Sequence, residues 1–113
     1  MTLPNADRAV IEGAKLFDYL LSPTHPVGRF KARFFTSLGY SQQDWRRLAA
    51  DLRSQHLSQP ATLVGTTRHG RKYQIRAMLR GPSGHAAEFV SVWIIRAGEE
   101  VPRFVTAYPG GRR

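Results

Sequence analysis

After Gln59-Pro60 the spacing of apolar residues changes from about 3.6 to two, and this change constrains the fold more tightly than any other feature of the chain. Upstream, Ile11, Leu16, Tyr19 and Leu20 lie near helical spacing, so a first helix is expected over Val10 to Leu21, stopping at Ser22-Pro23. Pro26 suits the first position of a second helix that runs to Leu38, with Thr24 or His25 as its cap and Gly39 as its stop. Ser41 should cap a third helix, with Asp44 in a box-like position and Trp45, Leu48, Ala49 and Leu52 as its apolar stripe. Downstream, strands are expected over Ala61 to Thr67, Arg71 to Arg80, Ala87 to Arg96 and Arg103 to Tyr108, with turns at His69-Gly70, Gly81-Pro82-Ser83-Gly84 and Gly98-Glu99-Glu100. Their short connections imply an antiparallel meander. The predicted architecture is therefore α+β, with two to three N-terminal helices packed on one face of a four-stranded antiparallel β-meander. It should occupy residues 1–109 as a single domain, followed by a basic tail at 110–113.

One position breaks the pattern. Val27, Phe30, Phe34, Phe35 and Leu38 form the apparent apolar face of the second helix, and Lys31 falls in the middle of it. Arg29 and Arg33 fall on the opposite side. A buried ammonium is costly unless paired, and pockets are where proteins tolerate that cost. His25 stands just before the same helix, and histidine suits proton transfer near neutral pH. The plainer readings are a lysine stem that snorkels to water and a histidine that leads into a helix. On the last strand, Phe104, Thr106 and Tyr108 share a face by the two-residue repeat, which makes Thr106 and Tyr108 adjacent donors. Together with His25 and Lys31 they form a candidate site that binds and polarises a phosphodiester. Tyr73 and Trp93, on neighbouring strands, are either core or rings for stacking bases. Arg76, Arg80 and Arg103 complete the candidate binding surface.

Charge points the same way. Seventeen Lys and Arg against eight Asp and Glu give a net charge of +9, spread along the chain, which favours polyanions or an acidic protein partner. With 42% hydrophobic residues the chain can bury a real core. Cysteine is absent, no apolar run approaches the roughly 20 residues of a membrane span, and Met1 to Arg8 carries no signal-peptide pattern, so a cytoplasmic location is expected. His69 and His85 sit beside glycines in turns, and His56 near a helix end, where positive charge is favourable. No two histidines have metal-ligand spacing, so neither a metal nor a cofactor is expected. The Gly81-Pro82-Ser83-Gly84 stretch is too short for a phosphate loop, and a G-x-S-x-G elbow is absent.

Several runs carry a resemblance: Tyr19 to Gly28, Lys31 to Phe35, Leu38-Gly39, Gly81 to Gly84, Val92 to Ile95, and Pro102 to Pro109. Together they resemble a bacterial domain family of unknown function, found as small free-standing proteins and as C-terminal modules of toxin-like surface and phage proteins. The resemblance implies a toxin–antitoxin-like pair, because the free-standing members tend to be encoded beside a second small protein. That family is in turn similar to the ribonuclease toxins that include barnase, the colicin ribonucleases and the RelE-like mRNA interferases. The similarity implies metal-independent attack of a ribose 2′-hydroxyl on phosphate, with His25 as acid or base, Lys31 as phosphate stabiliser, and Thr106 with Tyr108 as donors. The glutamate base of the barnase type has no counterpart here, since Glu88 starts a strand and Glu99 and Glu100 lie in a turn. The alternative is a non-catalytic basic module that binds nucleic acid or an acidic antitoxin- or immunity-type partner. A third reading is an immunity-type protein whose open sheet face docks another chain.

Overall fold

The computed structural model describes residues 1–110, so residues 111–113 of the expected basic tail lie outside it. The first helix, α1, begins later than its periodicity suggests. Gly13–Lys15 is α-helical, and Leu16–Leu20 continues as a π-helical turn in which the Leu21 amide donates to the Leu16 carbonyl at 2.9 Å. Val10 stays out of the helix because its backbone pairs elsewhere: its amide donates to Pro102 O and its carbonyl accepts from the Phe104 amide, both at 2.9 Å. The β-branched pair Val10-Ile11 suits that extended conformation. Helix α2 spans Arg29–Ser37, after a turn over residues 26–28. Helix α3 spans Trp45–Asp51 and continues as a second π-helical turn, Leu52–His56. Among the described residues no helix is long and apolar enough to cross a membrane.

Strands β1 (Thr62–Thr67), β2 (Gly70–Arg80), β3 (Ala86–Arg96) and β4 (Arg103–Pro109) form one sheet in the order β1-β2-β3-β4, each pair antiparallel. The protein is therefore α+β, with three helices followed by a four-stranded meander, as the change of period predicts. Leu16, Leu20, Phe35, Leu48 and Leu52 from the helices meet Ile75, Leu79, Phe89, Trp93 and Ile95 on one face of the sheet. The Phe35 and Phe89 rings stack at 4.7 Å between centroids. Gly81 takes part in a close approach, since a Cβ there would lie 2.2 Å from the Leu38 carbonyl oxygen. The end of α2 can therefore lie directly against the β2–β3 hairpin, where the Ser83 amide donates to Leu38 O at 3.0 Å.

The face that α2 buries differs from the expected one. Val27, Phe30 and Phe34 are 55%, 56% and 41% exposed, and the helix turns Ala32, Phe35 and Leu38 inward. At about 100° per residue, Lys31 lies at the seam between the buried side and the exposed aromatic stripe. Small Ala32 lets the helix approach the core closely, while Phe30 and Phe34 are held outside beneath Arg29 and Arg33.

His56 is the other departure. Expected near a helix end where positive charge is favourable, it does end the last turn after α3 but is fully buried. The Trp93 Nε1–H donates to Ser91 Oγ at 2.9 Å, so the Ser91 hydroxyl is free to donate to His56 Nδ1, 2.8 Å away. The proton of the neutral ring then sits on Nε2, which has no hydrogen-bond partner. Burial pushes His56 down from 6.5 to about 4, against a weaker opposing effect of the Ala77 carbonyl. A base whose folded value lies below its unfolded one contributes its full stability above pH 6.5 and loses it as pH falls toward 4. Linkage from these two values predicts a loss of about 2 kcal/mol between pH 7.5 and pH 5. Urea unfolding of the protein and of His56→Gln at both pH values checks this. The expected result is that the substitution removes most of the pH dependence, and equal slopes for the two proteins would contradict it.

Candidate functional site

The chain turns sharply after α1 because Ser22 Oγ accepts the amides of Thr24 (3.3 Å) and His25 (3.1 Å). His25, rather than Thr24, then caps the turn that opens α2. Its Nδ1 accepts the amides of Val27 (3.0 Å) and Gly28 (2.9 Å), and Pro26 between them has no N–H to satisfy. With Nδ1 committed as an acceptor, the hydrogen-bond pattern assigns the neutral ring's proton to Nε2. Gly28 makes a second close approach: a Cβ there would lie 1.9 Å from the Tyr19 carbonyl oxygen. Only glycine allows the first turn of α2 to rest on the last turn of α1. That contact sets the Tyr19 ring edge-on to His25, with centroids 5.0 Å apart.

Lys31 reaches into the same place from α2. Its Nζ donates to Tyr19 Oη at 2.8 Å and to Thr106 Oγ1 at 3.1 Å, and the two hydroxyls are 3.3 Å apart. Among the described residues no carboxylate pairs with this ammonium. For the Tyr19 phenol, partial burial is the largest single influence and acts upward. The hydrogen bonds from Lys31 and Thr106, with the charges of Lys31 and Lys15, together outweigh it and hold the phenol below 10.0. Tyr19, His25, Thr106, Lys15, Val27 and Val105 line an open hollow of about 460 Å³ at the outer edge of β4.

A break in the register of β4 places Thr106. Val92 pairs with Thr106 but Trp93 pairs with Phe104, so Val105 is an extra residue in the ladder. Phe104 therefore shares the helix side with Trp93, and Thr106 and Tyr108 lie on the other side with Val92 and Val90. This corrects the simple alternation, which put Phe104 on the same face as Thr106. The structure thus bonds Lys31 directly to Thr106, sets His25 against the Tyr19 ring that Lys31 also meets, and leaves the remaining candidates elsewhere. Tyr108 accepts from Gln74 Nε2 at 3.2 Å and does not line the hollow. Tyr73 and Trp93 are 3% and 0% exposed on the helix side and present no ring for stacking. Arg76 pairs with Glu88 at 3.2 Å and donates to Gly110 O at 2.6 Å, and Arg103 pairs with Glu99 at 3.1 Å. Arg80 donates to the Gly84 carbonyl at the hairpin. Sequence reasoning missed Tyr19 and Lys15. The signal for Tyr19 was its place one turn before the Ser22-Pro23 stop, facing a glycine that follows the cap.

Two outcomes follow from this geometry. An ultraviolet titration should resolve one phenol ionising below pH 10.0, and Lys31→Met should move it upward, because burial then acts without its counterweight. No early phenol, or one indifferent to Lys31, would contradict the arrangement. Tyr40, buried and bonded to Asp51 Oδ2 at 2.6 Å, should ionise far later. Gly28→Ala should cost about 2 kcal/mol by forcing α1 and α2 apart, measured by chemical unfolding.

A comparison with curated proteins gives no match. Among solved structures, the fold is similar to a chain of a contact-dependent growth inhibition toxin–immunity protein complex from Klebsiella pneumoniae 342. The TM-score is 0.68 and the identity 21%, over 96% of this chain and 98% of that one. At that identity the likeness establishes a shared fold. The model of the domain of unknown function DUF6883 matches residues 2–111, nearly the whole length, and the chain belongs to that family.

Proposed function

We propose that this chain is an RNA endonuclease domain of the toxin type, cleaving without a metal ion by attack of a ribose 2′-oxygen on the adjacent phosphorus. One observation carries the reading: a half-buried ammonium held by the hydroxyls of Tyr19 and Thr106, two residues that line a hollow together with the His25 imidazole, and no carboxylate on Lys31 among the described residues. Such a cation can take a phosphate without breaking an ion pair. The net charge of +9 draws a polyanion toward it. The fold shared with a chain of a toxin–immunity complex supports a place in a pair of that kind. A protein partner of the immunity type fits the same likeness, and the net charge of +9 suits an acidic one.

In this reading the 2′-oxygen forms a bond to phosphorus and the bond to the 5′-oxygen breaks, leaving a 2′,3′-cyclic phosphate and a 5′-hydroxyl. Tyr19, biased toward its phenolate by Lys31, accepts the 2′-hydroxyl proton. Lys31 stabilises the added negative charge, gives a proton to the departing 5′-oxygen, and recovers one from the Tyr19 hydroxyl 2.8 Å away. Both groups are thereby restored. His25 has its Nδ1 committed to the cap, so it acts through Nε2–H as a donor to a phosphoryl oxygen, alongside the Thr106 hydroxyl. That role differs from the acid or base the resemblance implies.

The second reading, a non-catalytic basic module, rests on the same charge and expects binding that weakens steeply with salt, without turnover. Incubation of the purified protein with total RNA in EDTA separates the two. The expected result is cyclic-phosphate ends, with cleavage falling about 10²- to 10⁴-fold in Lys31→Ala and Tyr19→Phe. His25→Asn keeps a good cap but loses the ring N–H, and about 10²-fold loss is expected. Intact RNA, or cleavage indifferent to Lys31→Ala, would refute the proposal.

A further inference from the structure

The outward side of α2 carries an aromatic stripe that the fold does not use. Val27, Phe30 and Phe34 are spaced i, i+3, i+7, so they form one line along the helix surface, and all three are largely exposed. The line starts in the hollow, because Val27 is part of its lining. The Arg29 guanidinium lies 4.5 Å from the Phe30 ring centroid, and that of Arg33 lies 5.5 Å from the ring of Phe34. From Tyr19 to Gln43 the chain has no Asp or Glu, so every charged side chain that this segment places beside the stripe is basic.

We infer that this stripe is a platform for the nucleotides next to the cleaved phosphate: single-stranded RNA runs out of the hollow, with bases on Phe30 and Phe34 and phosphates on Arg29 and Arg33. Charge and continuity select this occupant. The cations match a polyanion, and the stripe meets the hollow at Val27. Spacing selects an unpaired strand. Phe30 and Phe34 are separated by a rise of about 6 Å along the helix, whereas stacked bases in a duplex strand lie about 3.4 Å apart. The rings therefore suit splayed bases, each with its own π-face contact. The inference takes the identity of the polyanion from the proposed function, but it concerns binding and does not require cleavage.

The test uses fully 2′-O-methylated 12-mers, which cannot undergo 2′-attack, and the same backbone without bases. Fluorescence anisotropy over a range of salt gives affinity and slope. Phe30→Ala and Phe34→Ala should each weaken the base-bearing oligomer about tenfold, leave the abasic one unchanged, and keep the salt slope. Arg29→Gln with Arg33→Gln should lower the slope by about 1.4, since each phosphate contact on a single strand contributes about 0.7. Both rings are exposed, so thermal melts should show these variants folded. Equal loss on both oligomers, or none, overturns the inference. So does a concentration-dependent dimer, seen by sedimentation, that Phe30→Ala dissolves, because a second copy of the chain would then own the stripe. Tight, base-dependent binding by a protein that leaves unmodified RNA intact would sink the endonuclease reading and keep the platform.

Discussion

The Lys31 ammonium, shared between Tyr19 and Thr106, joins three separate parts of the chain: the end of α1, the first turn of α2 and the outer strand β4. Its partners are neutral. A carboxylate at 3 Å would cancel most of its field, but a hydroxyl orients the cation and leaves its charge in place. The arrangement costs stability, since a half-buried charge with hydroxyl partners is less well compensated than an ion pair. The same uncompensated charge makes the hollow attractive to an anion and biases Tyr19 toward ionisation. Under the proposed function, stability and chemistry pull in opposite directions at this residue.

The surroundings hold that cation in position through backbone contacts. The His25 cap fixes the start of α2, and Gly28 lets that start sit on the Tyr19 carbonyl. The extra residue Val105 turns the Thr106 hydroxyl toward the other two at the sheet edge. Behind these, the end of the turn after α3 is tied to β3 by Trp93, Ser91 and His56, a buried polar chain with one unsatisfied end. Such a chain needs His56 neutral, which gives the fold its sensitivity to acid. The buried carboxylate of Asp51 is treated differently: Tyr40 and Arg47 both bond its Oδ2.

Helix α2 divides its three phenylalanines between two roles. Phe35 stacks in the core, while Phe30 and Phe34 stay outside beneath arginines. A short helix on a sheet edge can bury only one narrow side. Which side it buries decides whether Lys31 meets Tyr19 and Thr106 or water.

Much of the architecture was legible in the linear chain. Period, turn glycines and prolines are local properties, so three helices, four strands and the meander order could be read from them, as could the oddity of Lys31 beside His25. What the chain alone could not settle depends on partners distant in sequence. Tyr19 has the spacing of a core residue, and only its contact with Gly28 and Lys31 makes it part of the candidate site. The extra residue at Val105 is invisible to a two-residue repeat, because a bulge is defined by the opposite strand. Likewise, the exposure of Phe30 and Phe34 and the burial of His56, Tyr73 and Trp93 follow from how the helices rotate on the sheet. Local patterning thus determined the elements and their order, while packing decided which of their faces meet, because burial is shared across the whole molecule and no single segment carries it.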